Sequence, residues 1–88
     1  MSLPGKAGYH TLVITRGTPV PPYRQLAAII RGQIESGELA PGHQLPSVVT
    51  LAAEYEVSTP TVKKALSLLK AEGLVTGVAG YGTFVAEK

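Results

Sequence analysis

The sequence predicts a mainly α domain with a small β extension, three helices followed by a β-hairpin. Three observations carry that prediction. Apolar residues recur at helical spacing in three separate stretches, the mark of amphipathic helices. Ser, Pro and Gly stand at the ends of those stretches, where capping and termination favour them. Two short runs containing β-branched residues flank Ala79-Gly80-Tyr81-Gly82, a Gly-rich hairpin tip.

In chain order, residues 1–21 read as an N-terminal arm, either mobile or a short strand, and residues 22–88 as the folded domain. Tyr9 to Thr15 (YHTLVIT) is rich in β-branched residues and suits a strand. Arg16-Gly17-Thr18-Pro19 and Pro21-Pro22 then break it from the first helix, because proline lacks the N–H that regular structure needs. The same prolines suit a helix start, where that N–H would have had no partner. In the first helix Leu26, Ala27, Ile30 and Ile34 share a face, Arg24, Arg31 and Glu35 lie mostly on others, and Gly37 is the stop. Pro41-Gly42 makes a turn, and His43-Gln44-Leu45 leaves room for a stub of extended chain before Pro46. Ser47 caps a second helix of about two turns, Val48 to Tyr55, whose buried stripe is Leu51, Ala52 and Tyr55. After Glu56-Val57, Ser58 is a second N-cap and Pro60 sits in the first turn of a third helix. There Val62, Ala65, Leu66 and Leu69 repeat at i, i+3, i+4 and i+7, and Gly73 ends the run. Leu74 to Val78 and Thr83 to Glu87 are the hairpin strands.

An 88-residue chain has room for one small core. With 44% hydrophobic and 16% charged residues, most of it is foldable rather than disordered. Cysteine is absent, which excludes disulfides, thiolate metal sites and cysteine nucleophiles. No run approaches the roughly 20 apolar residues that span a bilayer, and Met1 to Gly8 lacks the apolar core of a secretory signal. The expectation is a cytoplasmic, nucleoid-associated protein with no membrane partner. His10 and His43 have no carboxylate companions at ligand spacing, and Gly77-x-x-Gly80-x-Gly82 is not a dinucleotide fingerprint. No enzyme, metal or cofactor is expected.

The net charge of +2 is a weak hint of a polyanionic partner, and its distribution is a better one. Lys63, Lys64 and Lys70 fall between Ser58 and Lys70 with no acidic residue among them. Two short helices joined around Glu56-Val57-Ser58, with a hairpin directly after, make a helix-turn-helix with a wing. In that geometry the third helix presents its N-terminal turn to the major groove, so Thr59, Thr61 and Lys63 are placed to reach DNA, with Lys64 beside them. Free backbone N–H groups after Ser47 and Ser58 are natural phosphate partners. The wing offers Gly80 and Tyr81 to the backbone or the minor groove. Lys70 reads as a solvated face residue.

The pattern resembles the N-terminal winged helix-turn-helix domain of the GntR family of bacterial transcriptional regulators. It runs from Tyr23-Arg24-Gln25-Leu26-Ala27 through Ile34-x-x-Gly37-x-Leu39-x-Pro41-Gly42-x-x-Leu45-Pro46-Ser47 and Leu51-Ala52 to Val57-Ser58-x-x-Thr61-Val62 and Ala65-Leu66. It continues through Glu72-Gly73-Leu74-Val75 into Gly80-x-Gly82-Thr83-Phe84-Val85, so that residues 22 to 86 are covered. The resemblance implies a regulator, usually a repressor, that binds a pseudo-palindromic double-stranded DNA operator as a homodimer and is released by a small molecule. Departures fall on DNA-facing positions: Val48-Val49 stand where the family commonly has Glu-Arg, and Thr59 and Lys63 where it commonly has Arg. The family's effector-binding and dimerising domain has no counterpart before Lys88, so the expectation is a monomer or weak dimer off DNA, meeting as a homodimer on DNA, with no effector bound within these residues. A reading from a different class is a winged-helix protein-interaction module using an apolar surface around Val48 and Val49.

Overall fold

The computed structural model of the chain describes residues 14–87. Helices α1 (Pro22–Ser36), α2 (Val48–Tyr55) and α3 (Thr59–Ala71) precede strands β1 (Val75–Val78) and β2 (Gly82–Val85). His10 and most of the strand expected over Tyr9 to Thr15 lie outside the described residues. Its last two residues, Ile14 and Thr15, are in irregular chain, with Ile14 buried in the core.

Each helix begins and ends for a local reason. Proline occupies the first turn of α1 and of α3, where its missing N–H costs nothing. Ser47 and Ser58 cap α2 and α3 through their hydroxyls. Gly37 closes α1 in the left-handed conformation, φ 89°, which glycine reaches without steric cost. The C-cap of α2 is different, because Glu56 holds φ 56° and ψ 48° with a full side chain. The described arm braces that turn: the Arg16 guanidinium donates to the Glu56 carbonyl. Gln25 of α1 holds the arm in turn, accepting from the Thr15 N–H at 2.6 Å and donating to the Thr15 carbonyl at 2.7 Å.

All three helices contribute to one core. Leu26, Ala27, Ile29 and Ile30 of α1 meet Val62, Ala65, Leu66 and Leu69 of α3, and Leu51, Leu45, Val75, Val85 and Ile14 complete it. The expected stripe of α1 included Ile34, which is only half-buried in the last turn, and omitted Ile29, which is buried. The face of α1 that packs is therefore centred nearer its start.

The hairpin pairs Val75 with Val85 and Val78 with Gly82 in antiparallel register. Both strands are shorter than the sequence suggests. Gly82 joins the ladder opposite Val78 and so leaves the tip to Ala79-Gly80-Tyr81, while Gly73 at φ 78° delays the start of β1 to Val75. The stub at His43-Gln44-Leu45 pairs with the other edge of β2: Leu45 N–H donates to the Thr83 carbonyl and Val85 N–H to the His43 carbonyl, each at 2.8 Å.

A two-pronged ion pair ties the middle of α1 to the end of α3, with Arg31 Nε 2.9 Å from Glu72 Oε1 and Arg31 Nη2 2.7 Å from Glu72 Oε2. The hydrogen bond from Arg31 holds the Glu72 carboxyl below its ordinary range, and the same bond raises Arg31. A carboxyl depressed by folding stabilises the fold above its unfolded pKa, and that contribution is lost as pH falls through the folded value. Glu72→Gln is therefore expected to lower the urea midpoint modestly at neutral pH and to converge on the parent as acid protonates the Glu72 carboxyl in the folded state.

Candidate nucleic-acid interface

The turn between α2 and α3 sets the direction of α3, and the capping of both helices decides which polar groups remain available. Ser58 Oγ accepts from the Thr61 N–H at 3.2 Å and shares a 2.9 Å hydrogen bond with Thr61 Oγ1. Ser47 Oγ accepts from the Thr50 N–H at 3.1 Å and donates to Thr50 Oγ1 at 2.9 Å. Both serine hydroxyls and the half-buried Thr61 are thus engaged within the caps. The helix starts also offer main chain: the N–H groups of Val48 and Val49 in α2 and of Thr59 in α3, which precede the first intrahelical donors. Each helix N-terminus also carries the positive end of its dipole, and neither has an acidic residue in its first turn.

Thr59, Lys63, Lys64 and Ser67 are exposed along the face of α3 opposite its core residues Val62, Ala65, Leu66 and Leu69. Of the expected site residues, Ser58, Thr59, Thr61, Lys63 and Lys64 are brought together by this one helix. Ser47 stands at the start of α2, and Gly80 and Tyr81 at the tip of the hairpin. Tyr81 is 72% exposed, which leaves nearly the whole ring for a partner. Lys70 lies outside the group, its ammonium alongside the wing where a Cβ on Gly77 would come within 2.9 Å of Nζ.

The structure adds two residues that the site assignment from sequence missed. Lys64 Nζ sits 4.5 Å from the centroid of the Tyr23 ring, a cation–π contact that joins α3 to the start of α1. Arg24 Nε donates to the Tyr23 hydroxyl at 3.4 Å. That hydrogen bond, with the nearby charges of Arg24 and Lys64, holds the Tyr23 hydroxyl below the usual tyrosine range. A phenol and two cations are therefore gathered at one corner of the surface. The available signal was Tyr-Arg directly after the paired prolines, but only packing shows that these residues stand beside Lys64. No helix among the described residues is long and apolar enough to cross a membrane.

With this arrangement in view, the comparisons with known proteins agree with one another. The family described as bacterial regulatory proteins, gntR family, matches residues 14–85. The chain is 40% identical over 74 residues to the HTH-type transcriptional repressor NagR of Bacillus subtilis, covering 84% of this chain and 30% of NagR. It is 44% identical over 68 residues to the mannosyl-D-glycerate transport/metabolism system repressor MngR of Escherichia coli, covering 77% of this chain and 28% of MngR. The chain thus spans less than a third of the length of these relatives. Among solved structures, the DNA-binding domain of AraR in complex with an operator superposes with a TM-score of 0.81 at 33% identity, covering 84% of this chain and 94% of that one. The GntR-family transcription factor YtrA from Sulfolobus acidocaldarius superposes with a TM-score of 0.79 at 36% identity, covering 85% of this chain and 79% of that one.

Proposed function

The chain belongs to the GntR family of bacterial regulatory proteins, and from that premise we propose that it is the winged helix-turn-helix DNA-binding domain of a transcriptional repressor, reading the major groove with α3. The observation that carries this reading is the exposed, acid-free face of α3, which begins at a capped N-terminus and presents Thr59, Lys63 and Lys64. Short polar side chains at the start of a recognition helix reach base edges, and lysines behind them neutralise phosphate. The N–H groups at the starts of α2 and α3, together with the Tyr23, Arg24 and Lys64 corner, provide backbone contacts that fix register. Gly80 and Tyr81 meet the sugar-phosphate backbone or the minor groove. The operator-bound domain of AraR supports the assignment by its likeness in fold over nearly its whole length.

Two copies bound to the two halves of a pseudo-palindrome follow from the same geometry, since protein and operator then share a two-fold axis. No small-molecule effector is assigned to the described core, whose buried side chains are all apolar, whereas metabolite pockets need a few convergent polar groups. Regulation of transcription places the site of action with the chromosome, in the cytoplasm.

A protein-interaction role has one observation in its favour, the 71% exposure of Val49. A titration of nonspecific duplex at low salt separates the two readings. Amide shift changes at Ser58 to Lys64, Gly80 and Tyr81 are expected for a DNA-binding domain. Spectra that stay unchanged throughout would sink that reading and favour the apolar surface around Val48 and Val49.

A further inference from the structure

The wing tip is bonded from outside the hairpin by a side chain that neither its sequence position nor its charge singles out. Gln44 lies in the stub beside β2, and its Nε2 donates to the Tyr81 carbonyl at 2.7 Å. The backbone of Gln44 bridges to Phe84, so the side chain reaches the tip from a strand already registered against β2. Gly82 leaves room for the contact. A Cβ built on Gly82 would stand 2.9 Å from Gln44 Nε2, closer than side-chain atoms tolerate, and its φ of 120° is one that other residues rarely adopt. The carboxamide therefore lies over the face that residue 82 leaves open by having no side chain.

We propose that Gln44 is a positioning residue for DNA recognition, locking the Tyr81 carbonyl across the open face of Gly82 and so fixing the path along which Gly80 and Tyr81 meet the nucleic acid. The proposal rests on the DNA-binding reading above. A hairpin tip of three residues, Ala79-Gly80-Tyr81, has one turn hydrogen bond of its own, from the Tyr81 N–H to the Val78 carbonyl at 2.9 Å. Gly80 at φ 81° adds freedom rather than stiffness. Without the bond from Gln44 the Tyr81 peptide would be held on its N–H side only. Gln44 also stands three residues before the Ser47 cap, with buried Leu45 between them. One short segment thus registers the wing tip against the start of α2, setting the separation between wing contacts and helix contacts on the duplex.

The test uses the whole chain and a duplex enriched on it from a randomised pool, with Gln44→Ala, Gln44→Glu and Tyr81→Ala variants. Gln44→Ala is expected to weaken binding about fivefold, the worth of a single hydrogen bond. Gln44→Glu should lose at least as much, because a carboxylate cannot donate to the Tyr81 carbonyl. The diagnostic readout is where the loss falls. Hydroxyl-radical protection should fade at the nucleotides flanking the half-site, where the wing lies, and persist under α3. In a Tyr81→Ala background, where the ring is gone and Gly80 alone of the pair still meets the nucleic acid, Gln44→Ala should cost less affinity than it does in the parent. The proposal is overturned if Gln44→Ala binds like the parent, if its loss is undiminished in the Tyr81→Ala background, or if protection fades evenly over the whole site along with the thermal midpoint. An unaltered chain that enriches no duplex at all overturns the DNA-binding reading itself and this inference with it, a result distinct from the other three.

Discussion

Leu69→Ala is expected to destabilise this domain by about 2–5 kcal/mol, the range for truncating a fully buried leucine and leaving a cavity behind. Leu69 is 0% exposed on α3, in the cluster formed with Leu26 and Ile30 of α1 and Val62 about two turns earlier. A domain of this size holds a folding free energy near the lower end of the usual ~5–15 kcal/mol, so the loss removes a large share of it. At roughly 4–8 °C per kcal/mol for so short a chain, the thermal midpoint should fall by about 10 °C or more. Val49→Ala is the matched control, because a side chain 71% exposed has little burial to lose, and its effect should stay within about 0.5 kcal/mol. Urea and thermal melts of both variants make the comparison. A Leu69→Ala protein as stable as Val49→Ala would mean that α1 and α3 do not share the core described.

Lys63→Ala should weaken binding to many duplex sequences alike and reduce the slope of log K against log salt by about one, if that ammonium neutralises one phosphate. Lys63 is exposed on the second turn of α3, and among the described contacts it has no ion-pair partner to compete with DNA. Thr59→Arg should act in the other direction. A guanidinium at the first residue of α3 can pair with the O6 and N7 edge of guanine, a contact worth about 1–3 kcal/mol of discrimination, so affinity and preference for a guanine-containing half-site should both rise. With Thr59, Lys63 and Val49 in place of arginines, the parent is expected to bind with a shallower salt slope than an Arg-rich relative. Selection from a randomised duplex pool, followed by salt titration of the parent and both variants, reads all of these outcomes. If Lys63→Ala changes neither affinity nor slope and Thr59→Arg leaves base preference alone, α3 does not lie in the major groove.

The helices were legible in the sequence because the signals that specify them are local. Serine at positions 47 and 58 caps through an N–H two or three residues ahead, and the observed bonds run to Thr50 and Thr61. Proline confined to a first turn and glycine at a left-handed C-cap fixed the bounds of α1, and the i, i+3, i+4, i+7 run identified the buried face of α3 in full. The exposed candidates Thr59, Lys63 and Lys64 followed from that face, since the side of a short helix that is not turned inward is turned outward.

What the tertiary structure alone decided concerns residues far apart in the chain. Spacing shows that Ser58 and Thr61 are polar and near a helix start, but only the folded chain shows that their hydroxyls bond each other while Ser58 also caps the Thr61 N–H. Nothing in the periodicity of α1 places Tyr23 under Lys64, because that pairing depends on how two helices cross. Nor does Gln44, one residue of a short extended stub, reveal from sequence that it holds a carbonyl at position 81 through the gap at Gly82. Local patterns set which way each side chain faces along its own element, whereas contacts of long sequence separation arise only when those elements pack, and the edges of the candidate interface are made of such contacts.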